Sequence, residues 1–327
     1  MQHLVDDNKL KCKSYNFEKG KYSCGYSAIS EVLNNYGYNV SECDLFFLAN
    51  GFCFEMLNES FCIGYNSLKD TYNNLEKNIN LKVSYHDQVD TNEMYTIICN
   101  ELKKGNLPIL YVQSKSLYYH DIKKVLYPYH MVIVTEIDET FIEINDVYMI
   151  NDYGKISTFS GKLKCSDLLP FVNELMIINN EKCQELKKKE MKSIIADNFL
   201  YFLNDSAHGL SQLKTFYLKL YREIDDKGME KLSDFPEIME VFKWLILLPL
   251  FNYIKIICSQ FTCDSENQNL DKLYDKWIAN TGKLIKYYYG GKKDRLLDMI
   301  NESGLLLQEF NEVILKIMPN FSTTSTK

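Results

Sequence analysis

The chain has 327 residues, 46% hydrophobic and 25% charged, with a formal net charge of −7. That size and composition allow a sizeable core and predict two domains, while the acidic balance argues against a general nucleic-acid binder, whose footprint is a basic surface. The start, Met1-Gln2-His3-Leu4-Val5-Asp6-Asp7, carries no apolar run of the secretory kind, so a cytoplasmic location is expected and the ten cysteines are read as reduced thiols.

The first predicted element is a helix in Tyr22–Gly37. Ser23 is read as its N-cap, Ala28, Ile29, Val32 and Leu33 recur at helical spacing, and Gly37 stops the run. Cys24 falls in the first turn, where the positive end of the helix dipole stabilises a thiolate and makes a nucleophile; the plain alternative is a small apolar residue packed at a helix start. Residues 38 to 64 hold Cys43, Cys53, Cys62 and the rings of Phe46, Phe47, Phe52, Phe54 and Phe61, a density that reads as core. Ser67–Asn78 is predicted as a helix and Leu81–Tyr85 as a strand. Asp90–Lys104 is predicted as a helix capped by Thr91 and ended by Gly105, and Pro108–Gln113 as a strand. The loop Ser114–Tyr129 carries Tyr118, Tyr119, His120, Tyr127 and Tyr129, which together with Tyr22 are candidate substrate contacts; the loop is either a channel wall or an ordinary surface connection.

A nucleophilic cysteine needs a base and a group that orients the base. His130 opens a run to Ile137 rich in β-branched residues, and Phe141–Val147 reads as the returning strand of a hairpin. With the turn near Glu139, His130 lies diagonally across from Asp146. Asn145 faces the other side of the sheet unless a bulge or register slip exchanges the two, so Asp146 is the expected orienting residue and Asn145 the reserve. His120-Asp121 is a rival base pair, ranked below because it sits in a loop and not at a strand end.

Met149–Lys162 reads as further strands or a β-turn extension, Cys165–Glu174 as a short helix and Leu175–Ile178 as a last strand. From Glu181 to Met318 the pattern is helical, with Pro236, Pro249 and Pro319 as breakers. The predicted domains are 1–180, 181–320 and a frayed tail, 321–327. The lysines between Lys182 and Lys192 read as a solvated helix face in preference to a docking patch. Trp244–Ile254 is too short to cross a bilayer and reads as a buried helix kinked at Pro249, so no membrane partner is expected. No metal is expected either: there is no Cys-x-x-Cys pair, and Cys53 with Cys62 and Cys258 with Cys263 lack partner histidines. Gly290-Gly291-Lys292 lacks the rest of a phosphate loop, which argues against ATP.

A helix-opening Cys24, a His130 strand and an Asp146 strand resemble the papain-like fold of bacterial peptidases that trim double-glycine leader peptides. The closer resemblance is to the N-terminal domain of the butirosin biosynthesis protein H family. It rests on Tyr36-Gly37, Ser41-Glu42, Leu45-Phe46, Leu48, Gly51 and Phe54, and on the segments "HMVIVTEID" from His130 and "INDV" from Ile144. It covers about the first 180 residues. The resemblance implies an α+β architecture, a papain-like domain with its N-terminal helix packed on an antiparallel sheet, here followed by an all-α domain. It departs from the papain-like pattern at Glu18, where a Gln often serves as oxyanion donor; Asn16, Lys19 and the Cys24 backbone N–H are the candidates in its place.

The resemblance further implies that acyl-Cys24 forms from the phosphopantetheine thioester of a carrier protein and passes to a small amine acceptor, in assembly of a natural product such as a peptide-like or polythioamide antibiotic. No bound cofactor is then needed, since a thioester is already activated. The readings that stay open are a free-standing cysteine peptidase, a thioesterase and a non-catalytic binding module.

Overall fold

The computed structural model describes residues 21–53, 55–57, 61–64, 68–120, 129–150, 156–180, 188–261 and 264–321. The fold is α+β. In chain order the elements are α1 (Cys24–Asn35), α2 (Glu42–Leu48), β1 (Glu55–Leu57), β2 (Cys62–Gly64), α3 (Leu68–Ile79), β3 (Val83–Asp87), α4 (Thr91–Lys103), β4 (Pro108–Gln113), β5 (Tyr129–Ile137), β6 (Phe141–Ile150), β7 (Ile156–Lys164), α5 (Cys165–Leu168) and β8 (Val172–Ile178). The helices α6 (Lys188–Asn204), α7 (Leu210–Lys227), α8 (Phe235–Phe242), α9 (Leu248–Phe261), α10 (Asp264–Tyr289) and α11 (Lys293–Ile317) follow.

The chain divides into two compact units. The first comprises Met1–Gly37, Val83–Asn151 and Lys155–Asn180; the second comprises Tyr38–Lys82, Asp152–Gly154 and Glu181–Lys327. The first unit contains a six-stranded sheet in the order β3-β8-β4-β5-β6-β7, with every neighbouring pair antiparallel. Leu110, Val112, Val132, Val134, Ile142, Ile144, Leu175 and Ile177 line one sheet face and pack with Met94 and Ile98 of α4 and Leu168 of α5. α1 packs on β5 and β6. Its buried residues, Ala28, Ile29, Val32 and Leu33, are those the helical spacing picked out. Gly37, at φ +87°, takes the left-handed conformation that ends α1. Tyr36 ties that end to the sheet, its hydroxyl accepting from the Leu107 N–H at 2.6 Å. The cap of α4 differs from the expectation: Asp90, not Thr91, accepts from the N–H groups of Asn92 and Glu93 at 2.9 and 3.0 Å, because a carboxylate there can bridge two first-turn donors.

Among the described residues the second unit is helical apart from the antiparallel β1–β2 pair. It claims residues 38–82, which the sequence reading assigned to the first domain. Phe46, Phe47 and Phe52 are core as expected, fully buried, but their rings pack in this unit against those of Tyr253, Phe199 and Phe202. Gly51 is part of that packing, since a Cβ on it would stand 2.3 Å from the Phe46 ring. Glu42 accepts a hydrogen bond from the Tyr253 hydroxyl, and the Cys43 thiol donates to the Tyr253 carbonyl at 3.5 Å. Pro249 sits just beyond a π-helical turn, Lys243–Leu247, which gives room where its ring would press on the carbonyl four residues back. α8, this turn and α9 join into Phe235–Phe261, a longer apolar helix than the stretch read from sequence. By length and composition it could cross a membrane, and 61% of its most apolar window is buried in the fold. Cys24, Cys43, Cys53, Cys99, Cys165 and Cys258 carry thiols and no disulfide. Phe54 and the lysines before Lys188 lie outside the described residues.

Candidate active site

Four structural devices bring the side chains together. The first is the entry into α1: Lys21 forms an ion pair with Glu31 at 3.0 Å, which pins the incoming chain along the helix. Ser23 is the N-cap, in extended conformation and without a side-chain capping bond. Cys24 therefore opens the helix. The second is Gly25, whose missing Cβ would lie 3.2 Å from the Met131 methyl carbon. That close approach sets Cys24 beside His130, one residue back on each element.

The third device is the hairpin register. Near the turn, Ile137 pairs with Ile142 and Glu136 with Glu143; past Thr135 the pairs are Val134 with Ile144 and Ile133 with Asn145. Thr135 is thus an extra residue in β5, a bulge. Continuing the turn-side register would have put Asp146 opposite Ile133 and on the far face from His130. The bulge moves it opposite Val132, onto the face of His130, and sends Asn145 to the other face, where its side-chain oxygen accepts from the Ser160 hydroxyl at 2.7 Å. The turn is one residue longer than the reading centred on Glu139, and the bulge cancels that difference.

The fourth device is the loop after β4. Leu117 is completely buried in the sheet core and folds the loop back over the strand ends. It delivers Tyr119 and His120. The Tyr119 hydroxyl donates to Asp146 Oδ2 at 3.2 Å, while its ring stacks on Phe159, which pairs with Asp146 across β6 and β7, at 3.8 Å between centroids. The Tyr148 N–H donates to Asp146 Oδ1 at 3.2 Å.

His130 and Asp146 are both buried, with His130 Nε2 2.9 Å from Oδ1 and 2.8 Å from Oδ2. Cys24 neighbours the same imidazole and acts on its pKa through its charge and hydrogen bonding. Since Nε2 is taken by the carboxylate, Nδ1 is the nitrogen toward the sulfur. Burial alone would lower the His130 pKa, but the charges of Asp146 and Cys24 and hydrogen bonds to both outweigh it and push the value up to about 10. Burial, then the Asp146 charge and hydrogen bond, drive the Tyr119 hydroxyl far above the ordinary range, so Tyr119 stays a neutral donor.

Among the other candidates, Tyr118 is 71% exposed and sits edge-on to Tyr119 and Phe159. Tyr129 turns to the opposite face of β5 from His130 and stacks on Tyr111 at 5.0 Å. Tyr22 lies two residues ahead of Cys24 in the described chain, partly buried. Asn16, Lys19, Tyr127 and Asp121 lie outside the described residues. His120, ranked below His130 as a base, proves buried with its ring 4.6 Å from that of His130. It forms with His130 and Asp146 a group whose ligand atoms lie within 4.8 Å of one another, a set that could hold a metal ion. The spacing of metal motifs could not reveal it, because its members come from a loop and two strands. The bond from Tyr119 to Asp146 was likewise invisible in sequence beyond the presence of aromatics ahead of His130.

Residues 23–152 match the family described as butirosin biosynthesis protein H, N-terminal, less than half of the chain but enough to hold Cys24, His130 and Asp146. No curated protein matches the chain.

Proposed function

We propose, from the premise that residues 23–152 belong to the butirosin biosynthesis protein H N-terminal family, that this chain is a cysteine-dependent acyltransferase of antibiotic-type biosynthesis, with Cys24, His130 and Asp146 as its triad on a papain-like domain. The family points to an enzyme of acyltransferase type. The observation that carries the finer reading is the buried His130–Asp146 pair at 2.8 Å with a helix-opening thiol on the same imidazole. A base oriented by a carboxylate and facing a thiol is what nucleophilic catalysis requires.

The donor is an acyl group on the phosphopantetheine thiol of a carrier protein. With the His130 pKa raised to about 10, the Cys24 proton rests on His130 Nδ1, and the thiolate attacks the thioester carbon. A Cys24–carbon bond forms and the tetrahedral oxyanion collapses. The carbon–pantetheine bond breaks, and the departing thiolate takes the proton from His130. An amine then attacks acyl-Cys24, His130 accepts its proton and returns it to the Cys24 sulfur, and the amide leaves. Asp146 keeps the ring in the tautomer that leaves Nδ1 toward Cys24 and balances the imidazolium. The Cys24 backbone N–H belongs to the first turn of α1, whose amides lack intrahelical acceptors, and is one donor for the oxyanion. No nucleotide is needed, the protein works in the cytoplasm, and its partners are the carrier protein and the amine acceptor.

Intact-protein mass spectrometry after mixing with an acyl-pantetheine thioester tests this. The native chain should gain one acyl mass that Cys24→Ala lacks, and an added amine should discharge it as amide. Discharge by water alone, unaltered by amines, would make the chain a thioesterase. No adduct, with Cys24 also inert to iodoacetamide at pH 6, would leave a binding module.

A further inference from the structure

His120, His130 and Asp146 are each almost wholly buried, and one ligand atom from each lies within 4.8 Å of the other two. Two imidazoles and a carboxylate are the donor set of a zinc-type cation held by three protein ligands with one position open; the hard cations Mg²⁺ and Ca²⁺ prefer oxygen throughout. The acyl-transfer reading employs His130 and Asp146 and gives His120 no part. Leu117, fully buried, nevertheless anchors the loop that holds the His120 ring 4.6 Å from His130.

Metal–ligand bonds of about 2.05 Å at tetrahedral angles place the donors about 3.3 Å apart. To hold a cation the three donors must close from within 4.8 Å of one another toward that spacing, while the His130–Asp146 pair opens from 2.8 Å. A cation between them therefore replaces the hydrogen bond at His130 Nε2, the nitrogen that faces the carboxylate. A neutral imidazole bound through Nε2 keeps its proton on Nδ1, the side toward Cys24, and can neither hand that proton to the departing thiolate nor take one from the amine.

We infer that His120, His130 and Asp146 bind one zinc-type divalent cation, and that the cation-bound form is an inhibited form of the acyl-transfer centre. The binding stands on the donor geometry alone; the inhibition rests on the function proposed above.

The test uses the metal-stripped full-length chain and Zn²⁺ alone. After equilibrium dialysis the native protein should retain one more zinc per chain than His120→Ala and His120→Phe, the second of which keeps a ring against His130 and guards against a folding artefact. Cys24→Ala should match the native protein, and Co²⁺ substitution should give visible d–d bands without the ultraviolet band of a thiolate ligand. Saturating Zn²⁺ should slow formation of acyl-Cys24 from the acyl-pantetheine thioester at least about tenfold, with chelator restoring it and the His120 variants escaping it. Equal zinc in the native chain and both His120 variants, or loss of zinc in Cys24→Ala, would overturn the site. Full zinc retention with undiminished acylation of Cys24 would overturn the inhibition. The acyl adduct measured without metal judges the transferase separately.

Discussion

Asp146 accepts from three donors that belong to different parts of the chain: the His130 ring, the Tyr119 hydroxyl and the Tyr148 N–H. A carboxylate held from three sides is restrained, so it orients the imidazole at little further entropic cost. Asn145, one residue away, bonds Ser160 on the other face. Asp146→Ala should therefore slow Cys24 acylation on the order of a hundredfold or more, the usual worth of an oriented acid–base group, while Asn145→Ala should stay within about threefold. Equal effects in single-turnover acylation would remove Asp146 from the mechanism. The His130 proton also links stability to pH. Its folded pKa is raised to about 10 from 6.5, so the stabilisation is full below pH 6.5 and is lost as pH climbs through 10. Between those limits Tm should fall more steeply for the native chain than for His130→Gln; parallel curves would contradict the raised value.

At the scale of elements, the site depends on two irregularities in otherwise regular structure. One is the Thr135 bulge, which decides whether Asp146 or Asn145 shares the face of His130. The other is Gly25, whose missing Cβ leaves room for the Met131 side chain of β5. A larger residue there meets the end of the Met131 side chain, so either that side chain or the first helical turn has to give way. Gly25→Val is expected to lower the iodoacetamide reactivity of Cys24 at least about tenfold, since displacements of about an ångström are enough to cost catalytic geometry. Met131→Ala in the same chain makes room and should recover most of the loss. Failure of the double variant to recover, with the fold intact by circular dichroism, would show that Gly25 acts otherwise than by spacing.

At the scale of the whole molecule, the second unit is built from both ends of the sequence. Phe46, Phe47 and Phe52 are fully buried, and their ring partners Phe199, Phe202 and Tyr253 come from the C-terminal helices. Burying a Phe is worth roughly 1.5–3 kcal/mol, so three of them rival the net stability of a domain, about 5–15 kcal/mol. A truncation after Asn180 strips these rings of their partners. It is expected to aggregate or to lose cooperative melting, although it retains every residue proposed for catalysis. A monomeric truncated chain with a Tm within about 5 °C of the full-length protein would show that residues 38–82 do not need the helices.

What the sequence by itself determined was local. Helical spacing located the buried face of α1, Gly37 its end, β-branched runs the strands β4, β5 and β6, and Pro-poor periodicity the helices after residue 188. These follow from interactions between near neighbours, which a linear reading captures. The likeness to a known family was also legible, because its residues are fixed by such local needs: Ser41 caps α2 in a reciprocal bond with Asp44, and Gly51 clears the Phe46 ring. The tertiary structure alone decided three matters. It set the compensation of a longer turn by the Thr135 bulge, it put Tyr119 and His120 on the His130–Asp146 pair, and it gave residues 38–82 to the helical unit. Each depends on contacts between segments far apart in the chain, where packing and register override local preference, and no periodicity records which distant partner a side chain will meet.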